Sequence, residues 1–227
     1  MTEERYYYLF GDTPKDLPTA LSIDTETTGL KWTDDLLGIS LAWRDPNGEI
    51  RDCYLSKVPG LFQDDIWPES RVRALVWDLF TTKMVFGHYF SFDARVLFRE
   101  FEMTPMYSLD TWHMAKSTMW RDSYSLANLA PLAGINDPEW LESKKKRANM
   151  AELSPHVNSA YARKDARYTL QLFEYLYPAY EATGMVKTDT DFNRLTYAIM
   201  SRGFPVNEEL LDQRIKSESP VNINPSP

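Results

Sequence analysis

The stretch Thr19-Ala20-Leu21-Ser22-Ile23-Asp24-Thr25-Glu26-Thr27-Thr28-Gly29-Leu30 decides how this chain is read. Thr19 to Asp24 has the make-up of a short strand, and residues two apart on a strand share a face, so Asp24 and Glu26 project their carboxylates together. A lone Asp-x-Glu reads as a solvated strand end. In a sheet covered by other elements, however, desolvated carboxylates must be paired or must bind a cation. The rest of the chain decides between the two.

Working outward, Leu36 to Trp43 and Glu49 to Leu55 read as two further strands, with Asp45-Pro-Asn-Gly48 as the turn between them. Val72, Leu75, Val76 and Leu79 then recur at helical spacing, the apolar run Met84-Val-Phe-Gly87 follows, and Val96, Leu97 and Phe101 give a second helical pattern. A meander followed by strand, helix, strand, helix predicts an α/β architecture: a mixed sheet with helices on both faces. After Leu109 the chain reads as almost wholly helical. Ser154-Pro155 is a helix opening, and that helix is expected to run to about Tyr177, before Pro178. Helices near Thr190 to Ser201 and Glu208 to Lys216 follow, separated by the Gly203-Phe-Pro205 break. Ser217 to Pro227 holds three prolines and three serines and reads as a disordered tail.

Composition bounds the class. With 227 residues, 43% hydrophobic and 14% aromatic, the chain can bury a core for one sizeable domain plus a small appendage. No apolar run approaches the roughly 20 residues needed to span a bilayer. The start lacks the pattern of a secretory signal and Cys53 is the only cysteine, so a cytoplasmic or nucleoid-associated location without disulfides is expected. The net charge of −8 has the wrong sign for binding nucleic acid by bulk electrostatics. Basic residues cluster at Lys144 to Arg147 and at Arg163, Lys164 and Arg167, and both clusters read as solvated faces.

Two more acids stand in suggestive places. In Gly87-His88-Tyr89-Phe90-Ser91-Phe92-Asp93 a strand turns into a helix capped by Ser91, which puts Asp93 in a first turn, where the helix dipole favours its charge. Tyr161 and Asp165 are four apart on a helix and share a face. Oxygen ligands without a Cys or His cluster select Mg²⁺ or Mn²⁺ over Zn²⁺. His88, His113 and His156 are too scattered to form a ligand set.

Together the four acids, in this order, resemble the DEDD family of 3′–5′ exonucleases, which have a ribonuclease-H-like fold. Tyr161 marks the tyrosine subclass; the histidine subclass would carry His where Ala160 stands. The resemblance is closest to the proofreading domain of family A DNA polymerases. It extends to Asp110-Thr111, to Ser125-Leu-Ala-Asn-Leu-Ala130, to Tyr161 through Leu172, and to Arg194 through Asn207, which is similar to the lead-in to a polymerase region. The chain departs from the family at Tyr89, where Asn is usual.

The resemblance implies a mixed five-stranded sheet and a metal-dependent enzyme releasing 5′-mononucleotides from single-stranded or frayed DNA 3′ ends. Two divalent cations, Mg²⁺ or Mn²⁺, would be held by Asp24, Glu26, Asp93 and Asp165. Asp24 would bridge both, Glu26 and Asp165 would complete one, and Asp93 would serve the other. Tyr161 and Glu26 would orient the attacking water; Thr25, Thr27, Leu30 and His88 would contact substrate, with Leu30 either wedged between the last two bases or buried in the core. The rival readings are an RNA-trimming enzyme of the same superfamily and a non-catalytic adaptor. Residues 1–186 would be the exonuclease domain, 187–216 a helical extension and 217–227 the tail. A DNA polymerase partner is expected in cis, if the sequence is a fragment, or in trans. In the extension, Phe192, Leu195, Ile199 and Met200 are expected to pack back on the domain.

Overall fold

The computed structural model describes residues 5–31, 33–60, 65–146, 152–203 and 207–217, and the side chains of all of these except 143–146. Strands β1 (Tyr6–Gly11), β2 (Ala20–Thr27), β3 (Leu36–Arg44), β4 (Ile50–Ser56) and β5 (Ile66–Pro68) lead to helix α1 (Glu69–Thr82). Strand β6 (Met84–Gly87), helix α2 (Ser91–Phe101) and strand β7 (Tyr107–Asp110) follow. The remainder is helical: α3 (Thr111–Thr118), α4 (Leu126–Leu129), a 3-10 turn (Ala130–Ala133), α5 (Pro138–Lys146), α6 (Pro155–Glu181), α7 (Val186–Arg202) and α8 (Glu208–Ser217).

The sheet is mixed, as the sequence predicts, but has seven strands in the order β5-β1-β4-β3-β2-β6-β7 rather than five. The two extra strands, β1 and β5, extend the meander edge by antiparallel pairing. Strand β2 lies where the sheet changes character: it is antiparallel to β3 along its length and parallel to β6 only over Ala20–Ser22. Alternation puts Leu21 and Ile23 into a core shared with Val76 and Leu79 of α1, Leu97 of α2 and Tyr197 of α7. The opposite face packs Phe86, Leu109, Leu170 and Phe173 beneath α3 and α6, with the Phe86 and Phe173 rings stacked at 3.8 Å. Cys53 is buried, as a small apolar side chain in β4.

Several sequence expectations need correction. Helix α6 opens on the Ser154 cap, whose Oγ accepts from Val157 N at 3.4 Å, but it continues through Pro178 to Glu181. The missing proline N–H costs one backbone bond near the helix end, and Tyr180, fully buried beyond the proline, holds the last turn in place. Arg163 and Arg167 are not a solvated face: both pair with Asp52 of β4, which is 2% exposed, and Lys164 pairs with Asp137 at 2.7 Å. The charges bind α6 across the sheet. The Lys144 to Arg147 cluster lies outside the described side chains.

In α7 the face against the domain is Asn193, Tyr197 and Met200, with Asn193 Nδ2 donating to Ser108 O of β7 at 3.1 Å. Phe192, Leu195 and Ile199 face outward instead. Helix α8 has no buried residue, and residues 218–227 of the expected tail lie outside the described residues. No described helix is long and apolar enough to cross a membrane.

Candidate active site

The pleat of β2 sends Asp24 and Glu26 toward the α6 side, and α6 brings Asp165 to meet them. One carboxylate oxygen from each of the three lies within 4.8 Å of the others, the only such group of acids, His or Cys among the described residues. Gly38 faces Glu26 across the β2–β3 ladder. It must be glycine, because a Cβ there would meet the Tyr54 ring at 2.4 Å. Burial, and then the charge of Glu26, push the Tyr54 phenol well above its ordinary value, so it stays neutral against the acids. Tyr161 lies one turn before Asp165 on the same helix face, partly buried.

The fourth acid, Asp93, is not part of that group and meets β2 at Thr25 instead. Beyond Ser22, strand β2 has no parallel partner in the register with β6, and there Asp93 Oδ1 accepts from Thr25 N at 2.8 Å and Thr25 Oγ1 at 2.7 Å. Asp93 sits in the first turn of α2, as expected, but the helix begins at Ser91 itself, with Phe90 rather than Ser91 in the cap position. Burial raises the Asp93 carboxyl to about 7 against the opposing Thr25 bonds.

Among the expected substrate contacts, Leu30 is 84% exposed and therefore no core residue. His88 Nδ1 lies 2.9 Å from Thr111 Oγ1. The Thr25 hydroxyl is engaged by Asp93, and that of Thr27 donates to Gly29 O. Two clefts open on either side of Asp24, His88 and Tyr89. One, of about 490 Å³, is walled by Trp112, Tyr124 and Asp165; the other, of about 440 Å³, by Thr25, Leu30, Phe92 and Asp93.

Sequence reasoning missed three supports of this site. Trp140 of α5 donates from its indole nitrogen to Asp165. Asp137 accepts from Trp140 N at 2.9 Å, Lys164 Nζ at 2.7 Å and the Tyr168 hydroxyl at 2.6 Å, pinning α5 to α6. Asp110, buried at the end of β7, accepts from Tyr89 N, Phe90 N and Trp112 N. A helix cap was legible at Asp110 from its place before α3; no local signal marks Trp140.

Residues 11–181 match a protein-family model described as 3′–5′ exonuclease. Among solved structures, the chain is similar to a nuclease in its apo form (TM-score 0.57, 21% identity, 90% of each chain covered). It is also similar to Brucella melitensis NrnC with bound Mg²⁺ (0.56, 20%, 93% of this chain and 92% of that one). A third likeness is to Escherichia coli RNase D, an exoribonuclease involved in structured RNA processing (0.59, 20%, 87% of this chain and 48% of that one). At these identities the likeness is one of fold. No curated protein matches the sequence.

Proposed function

The chain belongs to the 3′–5′ exonuclease family whose model it matches, and from that premise we propose that it removes nucleotides one at a time from single-stranded or frayed DNA 3′ ends. The observation that carries this reading is the convergence of Asp24, Glu26 and Asp165 within 4.8 Å, a donor set made only of carboxylate oxygens. Such a set fits Mg²⁺ or Mn²⁺, and Asp93 would complete a second position from across the strand. Bound there, two divalent cations would polarise the scissile phosphate and make water a competent nucleophile near neutral pH.

In this reading Asp24 would be the shared ligand, Glu26 and Asp165 would help hold one cation, and Asp93 would serve the other. Tyr161 donates its hydroxyl hydrogen bond to orient the water, as an orienting group rather than a stoichiometric base. Leu30 and His88 line the approach of the strand end. Residues 1–186 make up the catalytic unit and 187–216 its extension, and a DNA polymerase, in cis or in trans, is the partner to which the resemblance of residues 194–207 points.

RNA is the second reading. It is favoured by the fold likeness to RNase D and to NrnC, which has also been solved bound to pGG. Digestion of end-labelled DNA and RNA oligonucleotides in Mg²⁺ tests both. Mononucleotide release from the DNA 3′ end supports the first reading, release from RNA alone the second, and no release from either removes both.

A further inference from the structure

Tyr89 is held in a backbone conformation that tyrosine disfavours, at a place where its ring gains little by burial. Its φ is +62°, the left-handed region that Gly and Asn occupy most readily and where a bulky residue is an outlier. The side chain is 56% exposed. Asn or Gly would serve the fold better at this position, so packing does not explain the ring.

The surroundings fix that ring firmly. One oxygen of the buried Asp110 accepts from both Tyr89 N (2.9 Å) and Trp112 N (2.8 Å), and the other accepts from Phe90 N (2.9 Å). A single carboxylate thus sets the backbones of Tyr89 and Trp112, 23 apart in sequence, relative to each other. Their rings meet edge to face, with centroids 5.7 Å apart at 80°. On its other side the Trp112 ring carries the Lys116 ammonium 3.8 Å from its centroid, and Lys116 is also 5.6 Å from the Tyr124 ring. The result is an ordered aromatic wall with a cation beside it, continuous with Asp24 and Asp165 in one cleft. Tyr89 also borders the second cleft, beside Leu30 and Phe92.

We propose that Tyr89, backed by Trp112, is a nucleobase-stacking residue that separates two nucleotide seats on either side of the phosphate held at Asp24, and that the cleft of Trp112 and Tyr124 takes an unpaired base. This rests on the nuclease reading and names what its site recognises. Stacking on an aromatic face tolerates every base, so the preference it confers is for unstacked, single-stranded ends rather than for a sequence. Lys116 supplies positive charge for the adjoining phosphate on an otherwise acidic chain.

The test uses fluorescence anisotropy in Mg²⁺. Its probes are single-stranded DNA oligonucleotides whose two 3′-terminal linkages carry a methylene in place of the bridging oxygen, so that binding is read without cleavage. One oligonucleotide is intact and the other lacks its last two bases. The wild-type chain should bind the intact one more tightly. Tyr89→Asn should weaken binding of the intact oligonucleotide about 10-fold or more, leave binding of the base-free one nearly unchanged, and raise the melting temperature by relieving the left-handed strain. Tyr89→Phe should retain the wild-type difference. Equal binding of the two oligonucleotides by the wild type, or equal losses on both in Tyr89→Asn, would overturn the proposal. Base-dependent binding by a wild-type chain that cleaves no natural linkage would keep the stacking residue and remove the nuclease reading.

Discussion

The indole N–H of Trp140, a side chain 1% exposed, donates to a carboxylate oxygen of Asp165. The donor comes from α5 and the acceptor from α6, and the Trp140 ring is kept upright by an edge contact with Tyr168, centroids 4.7 Å apart. The bond fixes the rotamer that turns Asp165 toward Asp24 and Glu26. Trp140→Phe keeps an aromatic ring but removes the donor together with the pyrrole half of the indole, so the melting temperature is read beside the affinity. Metal affinity should fall about 10- to 100-fold, as for other partners behind a ligand. Mn²⁺ titration by calorimetry is the measurement, and an unchanged affinity would leave Trp140 a packing residue.

Asp24 shares its strand face with Glu26, and one oxygen of each lies within 4.8 Å of an oxygen of Asp165. Asp24→Ala should lower the hydrolysis rate by about 10³-fold or more. Excess EDTA should have a comparable effect on the unmodified chain. Activity that survives either treatment would remove the carboxylate site from the mechanism.

Tyr161 shares its helix face with Asp165, and its proposed work is to orient water, not to bind metal. Tyr161→Phe should therefore bind Mn²⁺ as the parent does while turning over roughly 10- to 100-fold more slowly. Single-turnover rates set beside the metal titration separate the two effects, and a wild-type rate would contradict the assignment.

The link between α5 and α6 has a pH signature. Hydrogen bonds from Lys164, then from Tyr168 and Trp140 N, hold the Asp137 carboxyl down to about 2. A depressed carboxylate contributes stability that is present above its unfolded pKa near 4 and is lost as the pH falls through the folded value. Asp137→Asn should thus melt below the wild type at pH 7, with the gap narrowing between about pH 4 and pH 2. Melting curves across that range check it; a gap of constant size would mean that charge plays no part.

What the sequence discloses about this site follows from period. Asp24 and Glu26 were legible because a strand repeats every two residues, and Tyr161 with Asp165 because a helix repeats every 3.6. Strands β1 and β5 were not, since Tyr6–Phe10 is an unbroken run of aromatic residues and leucine rather than an alternation, and Ile66–Pro68 is only three residues long. The inward face of α7 was misread because Asn193 is buried by a single backbone hydrogen bond to Ser108, which no hydropathy pattern encodes. Trp140 and Asp165 are 25 residues apart on different helices, and their contact exists only in the folded packing.

The way the two helix-borne acids are held limits how they can bind. Asp93 Oδ1 accepts from Thr25, where β2 lacks a parallel neighbour, and Asp165 Oδ1 accepts from Trp140. Each therefore has one oxygen already committed to a hydrogen bond, and a two-oxygen grip from either would compete with bonds that hold the sheet edge or α5. Large cations such as Ca²⁺ draw on six to eight oxygens and readily use bidentate carboxylates, whereas Mg²⁺ takes single oxygens in a tight octahedron. A cation held by these acids would therefore be expected to be the smaller one, because part of their donor capacity is already committed to the fold.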